Sequence, residues 1–205
     1  NGSTDNCSIE SYSIDITSFD CSNVGENTVT LTVTDVNGNV STGTSIVTIE
    51  DDVAPTPLTV ASYTLQLDEF GSDISITAED IDNGSTDNCE IASISIDKNT
   101  FDCANLGENT VTLTVTDVNG NSATATTTIT IEDVTAPIVI TQNVTIDLND
   151  DSEATISTND IDDGSMDNCA IASMSLDRTD FACANLGAYT VTLKVTDTSG
   201  NTTSE

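Results

Sequence analysis

The chain has 205 residues, with 35 Asp plus Glu against 3 Lys plus Arg, a formal net charge of −32 at pH 7 and no His. A surface this acidic repels nucleic acid, whose binding depends on cations that displace phosphate counterions. No apolar run approaches the ~18 residues that a membrane helix requires, so neither nucleic-acid binding nor membrane insertion of this segment is expected.

Three stretches restate one another: residues 1–7 and 83–89 both read NGSTDNC and residues 163–169 read DGSMDNC, at offsets of 82 and 80 residues. Residues 25–39 and 107–121 both read GENTVTLTVTDVNGN, and residues 187–201 read GAYTVTLKVTDTSGN. Identity at that length and spacing means a tandem array. The Pro-containing segments 52–57 and 134–137 are the natural seams. They divide the chain into a partial repeat (1–52, first strands missing), a complete repeat (53–133) and a repeat lacking its last strand (134–205). With no initiator Met and no signal peptide, the chain reads as an excerpt of a longer protein.

In the complete repeat, strands are predicted at 59–67, 73–78, 91–97, 109–117 and 123–132, with short pieces bringing the total to about seven. Val111, Leu113 and Val115 alternate with Thr110, Thr112, Thr114 and Thr116, the period of a half-buried strand. No window carries a sustained helical stripe. Asn119-Gly120 predicts a two-residue hairpin turn with positive φ at both positions. Short strands at this spacing argue an all-β chain of tandem immunoglobulin-like antiparallel β-sandwiches in a rod-like array. Phe19, Phe101 and Phe181 recur just before the second cysteine of each copy and are expected to plug the core.

A repeat of ~80 residues has a thin core and needs staples. The six cysteines fall in pairs of constant separation, Cys7 and Cys21, Cys89 and Cys103, Cys169 and Cys183. Fifteen pairings are possible in principle, and repetition favours one intradomain disulfide per repeat. A closed loop of about 15 residues contributes roughly 3 kcal/mol on the chain-entropy model. Disulfides imply an oxidising, extracellular compartment. Without His, a lone pair of cysteines per copy makes a poor zinc site.

The acids gather around the Asn-Gly-Ser loop, the hairpin and the seam. Sandwich topology places a unit's exit beside these loops in the next. Glu50, Asp51 and Asp52 are therefore expected beside Asp80, Asp82, Asp87, Asp117 and Asn119. Glu132 and Asp133 are expected beside Asp160, Asp162, Asp167 and Asp197. Crowded carboxylates with amide and backbone carbonyls suit calcium, which takes six to eight oxygen ligands in a flexible cage, better than magnesium. The spacing is not that of an EF-hand loop, and Asp-x-Asp before Asn-Gly is also ordinary turn chemistry.

The succession Asp-Asn-Gly-Ser-x-Asp-Asn-Cys, Phe-Asp-Cys, Val-Thr-Asp-x-Asn-Gly-Asn and Ile-x-Asp-x-x-Ala-Pro resembles the hyalin (HYR) repeat and related bacterial immunoglobulin-like repeats, over essentially the whole chain. The element at 115–121 is also similar to repeats of calcium-linked adhesin stalks. The resemblance implies a sandwich fold and a role in very large secreted or cell-surface adhesins, notably of marine Bacteroidota. The third copy departs from the pattern at Phe181-Ala182-Cys183 and Thr198-Ser199-Gly200.

The function expected is therefore an extracellular structural or adhesive array, a stalk, filament or surface-fibre segment. Its partners are neighbouring repeats of the same chain and further copies in a fibre. A glycan- or surface-binding module is the alternative, weakened because Tyr12, Tyr63 and Tyr189 do not recur. An enzyme is not expected: the acids multiply with the repeats, and no Ser sits in a nucleophile elbow. Lys98, Arg178 and Lys194 are read as not repeated in register. The outward Thr faces reflect β-propensity. Asn1, Asn39, Asn83, Asn143 and Asn201 head Asn-x-Ser/Thr sequons and are candidate glycan acceptors.

Overall fold

A computed structural model describes residues 2–205; the sequon at Asn1 lies outside them. The chain is all-β apart from single helical turns. It forms two compact units, Asn1–Thr56 with Ser85–Ser93 and Val115–Ala123, and Pro57–Gly84 with Ile94–Thr114 and Thr124–Glu205. Among the described residues no helix is long and apolar enough to cross a membrane.

In the first unit, strands β1 (Ile9–Ile14), β2 (Gly25–Asp35) and β3 (Val40–Ile49) form one antiparallel sheet in chain order. The β2–β3 ladder runs from Gly25↔Ile49 to Thr34↔Val40, and β1 is bulged between Ile9 and Ser11.

The second repeat contributes β4 (Ser62–Gln66), β5 (Ile74–Ser75), α1 (Ala78–Ile81), β6 (Ile91–Ile96), β7 (Thr100–Phe101), β8 (Gly107–Asp117) and β9 (Ser122–Glu132). One sheet has the order β4-β9-β8-β6, with β4 parallel to β9, and the other layer pairs β5 with β7. This is an immunoglobulin-like sandwich of six strands rather than about seven. The predicted strand 73–78 is cut short because Thr77 opens a helical turn: its N–H and hydroxyl both donate to Asp80 Oδ2 (2.7 and 3.0 Å). The signal was present as Thr-x-x-Asp, a capping pattern.

The alternation read from sequence is realised, with Val111, Leu113, Val115 and Ile129 all at 0% exposure. Each such side chain removed from water contributes about 1.5–3 kcal/mol. Phe101, at 1% exposure, plugs the core as expected, and Lys98 Nζ lies 4.7 Å from its ring centroid. Arg178 repeats the arrangement 4.9 Å over Phe181. Lys98 and Arg178 are thus in register after all, 80 residues apart. Each caps the phenylalanine three positions on, a cation–π contact; the first copy has Ile16 at this position.

The β8–β9 hairpin differs from the two-residue turn expected. Asp117 N–H donates to Asn121 O (3.0 Å), leaving a three-residue loop in which Gly120 has φ +96° and Asn119 does not have positive φ. A type I turn closed by one left-handed glycine satisfies the strand twist without placing Asn119 in a costly conformation.

The third repeat, wholly in the second unit, has β10 (Glu153–Thr155), α2 (Thr158–Ile161), β11 (Ile171–Leu176), β12 (Asp180–Ala182), β13 (Leu193–Asp197) and β14 (Thr202–Ser204). Its sheets are β11-β13-β14 and β10-β12. Val139, Ile156, Ile161, Leu193 and Val195 form the core, with Phe181 packed against it.

Candidate metal centres and cysteine links

The disulfides do not close within repeats. Cys21 bonds Cys89 and Cys103 bonds Cys169, with Cα separations of 5.3 and 5.4 Å, while Cys7 and Cys183 are free and exposed. The reason is a strand: β1 lies between Cys7 and Cys21, and β11 between Cys169 and Cys183. Six strand residues at ~3.3 Å each carry the chain about 20 Å, far beyond the reach of a disulfide. The cysteine of Phe-x-Cys instead meets the Asp-Asn-Cys cysteine of the following repeat, each bond lying within one compact unit.

The same Asp-Asn-Cys loops carry two carboxylate clusters. Asp51, Asp87 and Asp117 offer oxygens within 4.8 Å of one another in the first unit, and Asp133, Asp167 and Asp197 do so in the second. Each trio takes one acid from the residues after a last strand, one from the Asp-Asn-Cys loop and one from the hairpin that follows.

The hairpin acid is positioned by its own turn. Asp117 is 2% exposed; its Oδ1 accepts the N–H groups of Asn119 and Asn121 (both 2.8 Å) and its Oδ2 accepts Asn121 Nδ2 (2.8 Å). Asn121 Nδ2 also donates to the Asp51 carbonyl (2.8 Å), tying the hairpin to the segment after β3. Asp197 is held identically by Ser199 and Asn201, and Asn201 Nδ2 donates on to the carbonyls of Asp133 and Thr135.

The loop asparagine completes each cluster. Asn88 Nδ2 donates to Asp51 Oδ1 (3.1 Å), and Asn168 Nδ2 to Asp133 Oδ1 (3.1 Å) and the Asp68 carbonyl (3.0 Å). In the second cluster Ser199 Oγ donates to Asp133 Oδ2 (3.3 Å). In the first, Asn119 takes the place of Ser199, and both its Nδ2 and Asp51 Oδ2 are buried without a hydrogen-bond partner. Asp87 Oδ1, Asp167 Oδ1 and Asn168 Oδ1 are in the same condition. Rotating the Asn119 amide exchanges its nitrogen for its carbonyl oxygen, which would add a neutral oxygen to the set.

Of the sequence-predicted ligands, Asp51, Asp87, Asp117, Asp133, Asp167 and Asp197 converge, with Asn119 beside the first trio. Glu50, Asp52 and Glu132 are exposed and stand outside both clusters, Glu132 accepting from Gln66 (3.4 Å). Asp80 and Asp160 cap the turns α1 and α2 through Thr77 and Ser157. Asp82 and Asp162 accept the N–H groups of Gly84 (3.2 Å) and Gly164 (3.4 Å). Asn88, Asn121, Asn168 and Asn201 were missed, although Asp-Asn-Cys recurs in every copy and an Asn closes each hairpin.

Two candidate glycan acceptors have their nitrogen committed: Asn39 Nδ2 donates to Asp35 Oδ2 (2.7 Å), and Asn201 Nδ2 has the three acceptors described above. Asn83 and Asn143 are exposed.

Gly71 backs the second cluster. Its φ is +64°, and a Cβ there would sit 2.3 Å from the Asn168 carbonyl oxygen and 3.3 Å from Cys103 Sγ. Gly71→Ala is therefore expected to lose more than about 2 kcal/mol, combining left-handed strain with displacement of Asn168, as read by urea unfolding.

Turn hydrogen bonds also set an acid limit. Bonds from Asn39 hold the Asp35 carboxyl below its usual range. Burial would raise Asp117, but bonds from Asn121, Asn119 and Gly120 outweigh it and lower it; Ser157 lowers Asp160 and Ser165 lowers Asp162. Depressed folded-state values give stability that is present above the unfolded carboxylate range near pH 4 and is lost as pH falls through the folded-state values. Thermal midpoints across pH 7 to 2, in salt that screens the net charge, should fall only below about pH 4.

Fold and site together define an all-β protein of tandem immunoglobulin-like sandwiches, with cysteine links from each repeat to the next and recurring acid trios. No protein-family model and no curated protein matches the chain. Among solved structures it is similar to the protocadherin gamma B4 extracellular domain (17% identity, TM-score 0.39, 96% of this chain and 42% of that one). It is also similar to protocadherin gamma B7 extracellular cadherin domains 1–4 (14%, 0.39, 96% and 65%) and to the human desmocollin-1 ectodomain (15%, 0.29, 88% and 43%). The chain spans less than two thirds of the length of each, and at these scores the likeness carries no functional argument.

Proposed function

We propose that this chain is a segment of an extracellular structural or adhesive repeat array whose acid trios bind calcium. The observation that carries the reading is the convergence of three carboxylates within 4.8 Å in each unit, of which Asp51 Oδ2 and Asp87 Oδ1 in one trio and Asp167 Oδ1 in the other are buried without a hydrogen-bond partner. A buried acceptor without a partner is costly, and three carboxylates crowded together repel. A hard divalent cation answers both, and an all-oxygen set of carboxylates and carbonyls favours calcium. The cysteine links support an oxidising, extracellular setting, and near-identical repeats support a structural over a unique-ligand role. The repeat boundaries at residues 52/53 and 133/134, the HYR-like assignment and glycans at Asn83 and Asn143 belong to the same reading.

The test is thermal unfolding of the oxidised chain in about 0.15 M salt, with calcium, with magnesium and with chelator. Calcium at tenfold its dissociation constant should stabilise each trio by about 1.4 kcal/mol, magnesium should do less, and Asp167→Ala should abolish the effect in the second unit alone. Equal midpoints in calcium and chelator would overturn the calcium assignment.

A further inference from the structure

In each unit the disulfide and the acid trio share one loop. Asp87, Asn88 and Cys89 are consecutive, as are Asp167, Asn168 and Cys169. The first residue of each run belongs to a trio and the last to a disulfide. The residue between them touches both. Asn88 Nδ2 donates to Asp51 Oδ1 (3.1 Å) and to Cys89 Sγ (3.5 Å), and the Asn88 carbonyl oxygen lies 3.5 Å from Cys21 Sγ. In the second unit Asn168 Nδ2 donates to Asp133 Oδ1 (3.1 Å), and the Asn168 carbonyl oxygen lies 3.7 Å from Cys103 Sγ.

The covalent link and the carboxylates join the same two pieces of chain. In the second unit Cys103 opens the helical turn Cys103–Asn105 ahead of β8, and Asp133 follows β9. Cys169, Asp167 and Asp197 come from the loop and hairpin on either side of β11 and β13. A local turn orients each loop acid: Asp167 Oδ2 accepts the N–H groups of Cys169 (3.0 Å) and Ala170 (3.2 Å), and Asp87 Oδ2 accepts that of Cys89 (2.8 Å). Oδ1 of both acids is left buried without a partner. The turn thus sets how the acid sits on its loop, while the disulfide sets where that loop sits against Asp51 or Asp133.

We propose that the disulfides gate the trios: each trio binds calcium tightly only when its neighbouring cysteines are oxidised, and bound calcium in turn resists reduction of that bond. The inference rests on the calcium reading and adds its regulation. Reduction is a two-electron exchange in which two thiols of a reductant such as glutathione leave as one disulfide and the two cysteines become thiols. Once the bond opens, three mutually repelling carboxylates are held together by hydrogen bonds alone, and the loop acid relaxes away from its partners. In the oxidised chain the loop is already in place, so the ion does not bear the entropy of closing it. The effect is reciprocal: the factor by which oxidation tightens calcium is the factor by which saturating calcium shifts the thiol–disulfide equilibrium toward the bond.

The test uses the chain with Cys7→Ser and Cys183→Ser, so that no free thiol exchanges with either bond. Calcium is titrated into this chain and into the same chain carrying Cys103→Ser and Cys169→Ser, and binding is read at the amide resonances of Gly120 and Gly200, one in each hairpin. Gly200 should report a dissociation constant at least about fivefold weaker in the variant, the lower end of ordinary coupling, while Gly120 reports the same value in both. The variant with Cys21→Ser and Cys89→Ser should exchange the two roles, and it carries the test if the first variant fails to fold. In the parent, calcium should shift the equilibrium of each bond with reduced and oxidised glutathione at least about fivefold toward the disulfide relative to chelator. If neither glycine responds to calcium in the oxidised chain, the calcium reading falls and this inference with it. If both respond with the same affinity whether or not the bonds are present, or if calcium leaves the glutathione equilibrium unchanged, the calcium reading stands and the redox linkage is overturned.

Discussion

Replacing Cys103 and Cys169 together by Ser is expected to destabilise the second unit by about 4 kcal/mol, because the bond closes a loop with a sequence separation of 66 residues and the chain-entropy cost grows with loop length. At 2–4 °C per kcal/mol for a chain of this size, the melting midpoint should fall by roughly 10 °C. The control decides between pairings. Cys7→Ser with Cys183→Ser should leave stability unchanged, since both thiols are free; had the bonds closed within repeats, that control would break two of them. Non-reducing peptide mapping should recover Cys21 joined to Cys89 and Cys103 joined to Cys169. Recovery of Cys89 with Cys103 would refute the arrangement.

Asp197→Ala is the second large effect. Asp197 is 2% exposed and accepts from Ser199 N–H (2.9 Å), Asn201 N–H (2.8 Å) and Asn201 Nδ2 (2.8 Å). Losing a buried carboxylate with three donors should cost about 3 kcal/mol, since hydrogen bonds to charged groups are the stronger class and the donors are left unmet. The damage also propagates, because Asn201 ties the hairpin to Asp133 and Thr135. Asp163→Ala, at an exposed loop position, should change stability by less than about 0.5 kcal/mol. Urea unfolding is read with calcium present, because about 0.15 M salt leaves buried carboxylates within 4.8 Å of one another largely unscreened and relief of their repulsion would otherwise offset the loss.

The candidate site was legible where acids recur in the chemistry of a turn. Asp117 and Asp197 stand at the ends of Val-Thr-Asp strands before a Gly-Asn closure, and Asp87 and Asp167 stand in the Asp-Asn-Cys loop. The six acids that converge were all among those named from sequence. The surplus came from treating acidity as one property. Asp80 and Asp160 sit three residues after Thr77 and Ser157, and a carboxylate at that spacing caps a helical turn rather than reaching across to a neighbouring strand. Asn88 and Asn168 were passed over because a neutral amide does not register in a count of charge, yet each bonds the acid of the linking segment.

By itself the sequence determined the strands, their inward faces and the tandem period, because a two-residue alternation of Val, Ile and Leu with Thr leaves one face apolar and admits little else. It also showed that acids and cysteines recur at fixed places in each period, the six converging acids among a larger set and the cysteines read as paired within repeats rather than between them. Only the tertiary structure decided the partners. Whether Cys169 meets Cys183 or Cys103 depends on the rise of β11 between the first two, which sends them to opposite ends of one sandwich. Whether Asp51 joins Asp87 or stays in solvent depends on a hydrogen bond from Asn121, 70 residues away. Separation along the chain is short-range information, and which ends of strands meet is set by their length and pairing in three dimensions.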